Sequence, residues 1–181
     1  MKISITLFLC LTMYQLTISQ TYFTRTGYTE FKASAEAFEP VEAKNNSTTV
    51  IFKVKSGDIA AQLFVHAFHF KVALMQEHFN ENYMDSDKFP KAVFKGKLEG
   101  FDFENFSNDQ EYNLTGSLTI RGVSKKINSK ARLKKLGEAI QIKASFTVQA
   151  QEFGIAIPSI VRKKIADNIL INIHYELVKK K

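Results

Sequence analysis

The stretch Tyr112-Asn-Leu-Thr-Gly-Ser-Leu-Thr-Ile-Arg121 decides the fold, because it sorts its residues at a period of two. Tyr112, Leu114, Gly116, Leu118 and Ile120 fall on one side, and Asn113, Thr115, Ser117, Thr119 and Arg121 on the other. A helix would scatter both sets around its circumference, whereas successive side chains of a strand point to opposite faces. Gly122 supplies a turn, and alternation resumes with Ile127, Ser129, Ala131 and Leu133 against Asn128, Lys130, Arg132 and Lys134. Two such segments joined by a short glycine turn read as an antiparallel hairpin.

The same period recurs outward in both directions. Downstream it selects Ile140, Ile142, Ala144, Phe146, Val148 and Ala150, then Ile169, Ile171, Ile173, Tyr175 and Leu177. Upstream, Val50, Phe52 and Val54 alternate with Ile51, Lys53 and Lys55, and Ser56-Gly57-Asp58 turns the chain into a second arm from Ile59 to Phe70. Tyr22 to Thr26 and Tyr28 to Ser34 read as two short strands around Gly27, and Ala92, Phe94, Gly96 and Leu98 give a further one. The connections are too short for the helical crossovers of a parallel sheet. An all-β, antiparallel, up-and-down barrel of about eight strands is therefore expected.

Two segments keep a different period. Val72, Met75, Phe79 and Tyr83 have helical spacing within Val72 to Met84. After Pro158, Ser159 is a suitable N-cap for a turn or two of helix carrying Ile160, Val161 and Ile165. One or two short lid helices over the barrel follow from these patterns.

Lys2, the apolar run Ile3 to Met13, and the small and polar residues Thr17, Ser19 and Gln20 have the order of a signal peptide, with cleavage expected after Ser19. Residues 1–19 would be the leader and residues 20–181 a single domain of 162 residues (181 minus 19). The expected location is secreted, or periplasmic in a Gram-negative source. The single cysteine, Cys10, lies inside the apolar run after Leu9, which argues against lipidation and leaves the mature chain without disulfides. The net charge of +7 becomes +6 without Lys2, and part of it clusters between Lys125 and Lys135. That cluster suggests either a solvated strand face or an anionic membrane surface as partner. Nucleic acid is not expected, since no aromatic residue interleaves with these charges.

The inward faces mix large apolar residues with Ala61, Ala67, Ala92, Gly96, Gly116, Ser129, Ala131, Ala144 and Ala150. In a barrel of about eight strands, inward side chains either fill the interior or leave room for one small ligand. These small residues leave it underfilled, and the few ionisable groups make the expected guest an apolar chain. The lumen lining is assigned to Phe52, Leu63, Phe94, Leu118, Ala131, Ile142, Ala144, Phe146, Ile171 and Ile173.

From Ala73 to Lys97 the chain reads Ala-Leu-Met-Gln-Glu-His-Phe-Asn-Glu-Asn-Tyr-Met-Asp-Ser-Asp-Lys-Phe-Pro-Lys-Ala-Val-Phe-Lys-Gly-Lys, which resembles the YceI-like family. Gly116-Ser-Leu-Thr-Ile-Arg-Gly-Val-Ser-Lys125 and, more loosely, Phe153-Gly-Ile-Ala-Ile-Pro158 are similar to it too. The resemblance implies a lipocalin-like barrel that holds a polyisoprenoid, a quinone tail or a fatty-acid derivative, without catalysis. No cofactor is expected, and the chain is expected to be a monomer or homodimer.

Other constellations carry less. His66 and His69, three apart on the expected strand, would point to opposite faces and make a poor metal pair. His78 stands among Glu77, Glu81, Asp85 and Asp87, a set from which a hydrolytic or metal site could be built, against the simpler reading of a solvated lid. A docking module with a filled core is the remaining alternative. Asn45, Asn46, Asn105 and Asn113 open Asn-x-Ser/Thr sequons, to which no function is assigned.

Overall fold

A computed structural model describes residues 20–34, 40–106 and 108–180. The expected leader and Cys10 lie outside the described residues. The described residues form nine strands: β1 Thr21–Ser34, β2 Glu42–Lys53, β3 Asp58–Phe64, β4 His69–Phe70, β5 Lys91–Glu99, β6 Gln110–Ile120, β7 Val123–Leu136, β8 Ala139–Val148 and β9 Ile165–Lys179. Every pairing is antiparallel. The order runs β1-β9-β8-β7-β6-β5-β3-β2, and β1 also pairs with β2, so eight strands close into an up-and-down barrel. The two-residue β4 adds only Ala43↔Phe70 and Lys44↔His69 at the edge of β2.

The decisive hairpin forms in the expected register. Ile120 pairs with Val123 across Arg121 and Gly122, which take positive φ of 47° and 75°. That is the two-residue turn whose twist suits antiparallel strands.

Near the start of the chain the structure departs from the period-two reading. β1 is one strand of 14 residues, not two short ones. Its pairing with β2 steps from Thr24↔Val50 to Gly27↔Thr48 to Thr29↔Asn45. Each strand therefore carries one extra residue, on β1 before Gly27 and on β2 between Asn45 and Thr48. A bulge reverses which residues face inward. On β1 the inward set changes from Tyr22 and Thr24 to Thr29, Phe31 and Ala33, and on β2 from Phe52, Val50 and Thr48 to Asn45 and Ala43. Gly27 sits at the step because a Cβ there would lie 2.7 Å from the Tyr175 ring. Asn45 holds the matching step on β2, accepting from the Ser47 amide (2.8 Å) and donating to the Phe64 carbonyl (3.1 Å).

The arm read as Ile59 to Phe70 ends as a strand at Phe64 and continues as a 3-10 turn, Val65–Ala67, before β4. His66 is thus on a turn, and Ala67 is not an inward strand position. The expected lid helix is present as α1, Ala73–His78, running on into a π-helical segment, Phe79–Met84. The expected second helix is absent. Residues 159–164 form successive turns, Ile160 stands 87% exposed, and Ile165 already opens β9. A proline-led segment this short, with its apolar side chain in water, gains too little from burial to nucleate a helix.

The interior is divided. At one end Tyr22, Phe52, Leu98, Leu114, Leu133, Ile140, Ile142 and Leu177 pack into one cluster with Ala131 and Ala144. The connection between β5 and β6 folds over this end and inserts Phe101, Phe103 and Phe106. Phe101 lies 5.0 Å from Phe52, 5.4 Å from Phe106 and 5.4 Å from Tyr112, between ring centres. Ala131 and Ala144, expected to border open lumen, instead face each other across β7 and β8 in this packed end. The three phenylalanine rings of this connection supply the volume that the small residues lack.

Ala131 is 0% exposed. Ala131→Phe is accordingly expected to overpack this end and cost about 1 to 3 kcal/mol, read as a lower urea midpoint with an unchanged slope.

Candidate functional site

Above the packed end the barrel is hollow. A cavity of 390 Å³ lies between the barrel floor and the lid, within the range of about 300 to 1,000 Å³ typical of small-molecule sites. Its floor is made where the packed cluster ends, by Ile59, Ala61, Leu114 and Tyr175. Two separate clusters supply most of the wall, one around Leu118, Val148 and Phe153, the other around Phe31, Leu63 and Phe68.

Phe94 marks the boundary. Gly96 and Gly116 pair directly across β5 and β6, and a Cβ on either would lie 2.5 or 2.6 Å from Cζ of Phe94. The Phe94 ring therefore lies over the two glycines. They do not widen the lumen as such; they make room for a ring that belongs to both the packed cluster and the cavity wall.

The lid is anchored by aromatic contacts. Phe79 stacks on Phe31 at 5.2 Å and meets Phe70 at 5.1 Å and Phe68 at 5.8 Å. Met75, His78, Phe79, Tyr83 and Met84 from this segment face the cavity, and Val161, Lys164 and Ile165 face it from the turns before β9. His78 and Lys164 are exposed, so the cavity reaches the surface at the rim between these two segments. Lys164 is the one permanently charged side chain of the lining, and it has no carboxylate partner among the described residues.

Of the ten residues assigned to the lumen, Leu63, Phe94, Leu118, Phe146, Ile171 and Ile173 line the cavity. Phe52, Ala131, Ile142 and Ala144 do not; they belong to the packed end. Alternation along a strand gives the correct face at every one of these positions but says nothing of height along the barrel axis. The plug formed by Phe101, Phe103 and Phe106 was the missing information. Its signal was a Phe-x-Phe-x-x-Phe spacing inside an otherwise acidic and polar connection. The cavity-facing Phe68 was likewise hidden, within a segment read as plain strand.

The histidine and acid candidates do not converge. Among the described residues no three His, Cys, Asp or Glu side chains come close enough to share a metal ion. Asn45 is fully buried and spends its amide on Phe64, whereas Asn46, Asn105 and Asn113 are exposed.

The basic strand face is partly neutralised from its own neighbour. Arg132 makes a two-pronged contact with Asp109, Nε to Oδ1 at 2.6 Å and the terminal nitrogen to Oδ2 at 3.0 Å, which holds the Asp109 carboxyl below its usual range. Lys130 approaches Glu111 at 3.9 Å.

These geometries can be set beside known proteins. The YceI-like domain matches residues 12–177. The chain belongs to that family. A search of curated sequences finds no match. Among solved structures, a polyisoprenoid binding domain from Saccharophagus degradans, implicated in plant cell wall breakdown, superposes with a TM-score of 0.77 at 9% identity, over 88% of this chain and 98% of that one. Burkholderia cenocepacia BcnA gives 0.68 at 18% identity, over 83% and 96%. A Campylobacter jejuni YCEI protein gives 0.65 at 19% identity, over 81% and 89%. At these identities the likeness establishes the shared YceI-like barrel.

On the outside of the YceI-like barrel, β8 and β9 place Lys143 opposite His174. Desolvation first, and the Lys143 charge second, hold the His174 imidazole below its ordinary value of 6.5, against a smaller opposing pull from Glu176. Protonation is thus harder in the folded than in the unfolded chain. Stability is complete above 6.5 and is lost as pH falls from there through the lowered value. Melting temperatures over that window should decline, and the decline should shrink in His174→Asn. The carboxyls of Glu42, Asp102 and Asp109, all held low, lose their contribution only in more acid solution.

Proposed function

We propose that this YceI-like barrel is a binding protein that takes one long apolar chain out of water and holds it in the cavity. The observation that carries the reading is a 390 Å³ cavity lined by aliphatic and aromatic side chains, closed at the floor by an aromatic plug and reaching the surface at a rim. Each buried methylene contributes about 0.8 kcal/mol, so ten of them give about 8 kcal/mol before ordering costs. That gross value corresponds to a dissociation constant of about 1 μM. The polyisoprenoid binding described for the Saccharophagus degradans domain supports an isoprenoid or other lipid chain as the guest.

A catalytic role has no comparable support. Among the described residues, none of Glu77, Glu81, Asp85 and Asp87 is hydrogen-bonded or ion-paired to His78, so none of these four acids orients its imidazole. Export of the chain is part of the proposal and rests on Lys2 and the apolar run that follows it. Lys126, Lys134 and Lys143, exposed on the outer face, would draw an exported carrier toward anionic bilayers.

Mass spectrometry of an organic extract of the purified protein is expected to recover a long-chain species in near-stoichiometric amount. Ala92 borders the cavity, unlike Ala131. Ala92→Phe should therefore place its ring in the void, lowering affinity for a fluorescent fatty-acid probe about tenfold with little change in the melting temperature of the emptied protein. An empty extract together with no probe uptake by the wild-type protein would overturn the proposal.

A further inference from the structure

The cavity floor holds a feature that an apolar guest alone does not use. Thr29, Thr48 and Tyr175 all face the cavity, and all three are more than nine-tenths buried. Their hydroxyls form a chain: Thr29 Oγ1 lies 2.8 Å from Thr48 Oγ1 and 3.2 Å from the Tyr175 hydroxyl. Three hydroxyls carry three protons, and two hydrogen bonds consume two. One proton remains, on Thr48 or Tyr175 when the chain runs in one direction and on Thr29 when both ends donate to it, and among the described residues none of the three side chains has a further hydrogen-bond partner. A buried donor left unused is costly, so a partner is expected in the space it faces.

We infer that the floor of the cavity receives an uncharged hydrogen-bond acceptor, such as a carbonyl oxygen, at the leading end of the bound chain. This rests on the proposal that the cavity holds a long apolar ligand. The ligand then enters polar end first, with its hydrocarbon along the wall and its tail at the rim. The acceptor is uncharged because the other floor residues, Ile59, Ala61 and Leu114, offer no cation, and the rim alone carries Lys164 and His78. Bringing a carboxylate to the floor would strip its water without a counter-charge. Burial pushes Tyr175 up to about 12, so its hydroxyl keeps its proton and the chain keeps its donor. The bulge of β1 builds the site, since it turns Thr29 inward beside Thr48, which already shares the inward phase of Phe52 and Val50, and leaves Gly27 open for the Tyr175 ring.

The test compares methyl undecyl ketone with tridecane, which differ only in the carbonyl, by displacement of a fluorescent fatty-acid probe from the delipidated full chain. Relative to their transfer from water to alkane, the ketone is expected to bind about tenfold more tightly than tridecane. The infrared carbonyl band of the bound ketone is expected at lower frequency than in alkane solution. In the shape-preserving variant Thr29→Val, Thr48→Val, Tyr175→Phe, that excess should vanish. No excess in the wild-type protein, an unshifted carbonyl band, or an excess that survives the triple substitution would overturn the inference while leaving the cavity proposal standing. Failure of both compounds to bind would overturn the cavity proposal and the inference with it. Should the triple variant not fold, the band position in the wild-type protein decides.

Discussion

Closure of the sheet is the constraint on which everything else in this molecule depends. β1 pairs with β2 along one edge and β9 along the other, so each of the eight long strands among the described residues has a partner on both sides, and the interior becomes a fixed volume. Eight strands leave a lumen that side chains can just fill. Once the ladder is closed, the inward residues cannot collapse further to exclude a void. Whatever volume they leave unfilled persists as a cavity, and the chain must either plug it or use it.

This chain does both, at opposite ends. Three phenylalanines of the β5–β6 connection fold into one mouth and compensate for the small residues Ala131 and Ala144 beneath them. Among the described residues no equivalent plug enters the other mouth. There the α1 segment spans the opening, held through Phe79 by the rings of Phe31, Phe68 and Phe70. Ring pairs of this kind each add about 0.5 to 1.5 kcal/mol beyond burial, so together they hold the lid segment over the opening.

The bulged pair β1 and β2 links the two ends. Without the extra residue on each strand, the inward pattern set by Tyr22 and Phe52 would continue, and Thr29, Phe31 and Ala43 would face solvent. The step costs regular pairing at Gly27 and is stabilised by Asn45, which supplies hydrogen bonds that the interrupted ladder cannot. It delivers Phe31 to the lid anchor and the Thr29 hydroxyl to the cavity floor, beside that of Thr48. A local irregularity of the backbone thus places both the contact that holds the lid and the few polar groups inside an apolar chamber.

How much of this was legible in the sequence follows from what periodicity encodes. Alternation fixed the strands from Ala92 onward, their antiparallel order and the face each side chain takes, because a strand's side-chain direction is a local property of its backbone. The YceI-like motifs and the helical spacing of Val72 to Met84 were local in the same sense. Height along the barrel axis is not local. Leu118 and Ala131 show the same inward pattern, yet one borders the cavity and the other the plug, since only the cross-strand register and the path of the Phe101–Phe106 connection assign each position its level. The polar stretch Glu42 to Thr49 concealed half of β2, and the phase break at Gly27 made one strand look like two, because a bulge is defined by its partner strand. The hydroxyl chain of Thr29, Thr48 and Tyr175 joins residues 19 and 146 positions apart. The sequence by itself determined a closed antiparallel barrel with an underfilled apolar interior; only tertiary packing decided which end is solid, which is hollow, and which polar groups face the hollow, since those depend on contacts between strands remote in the chain.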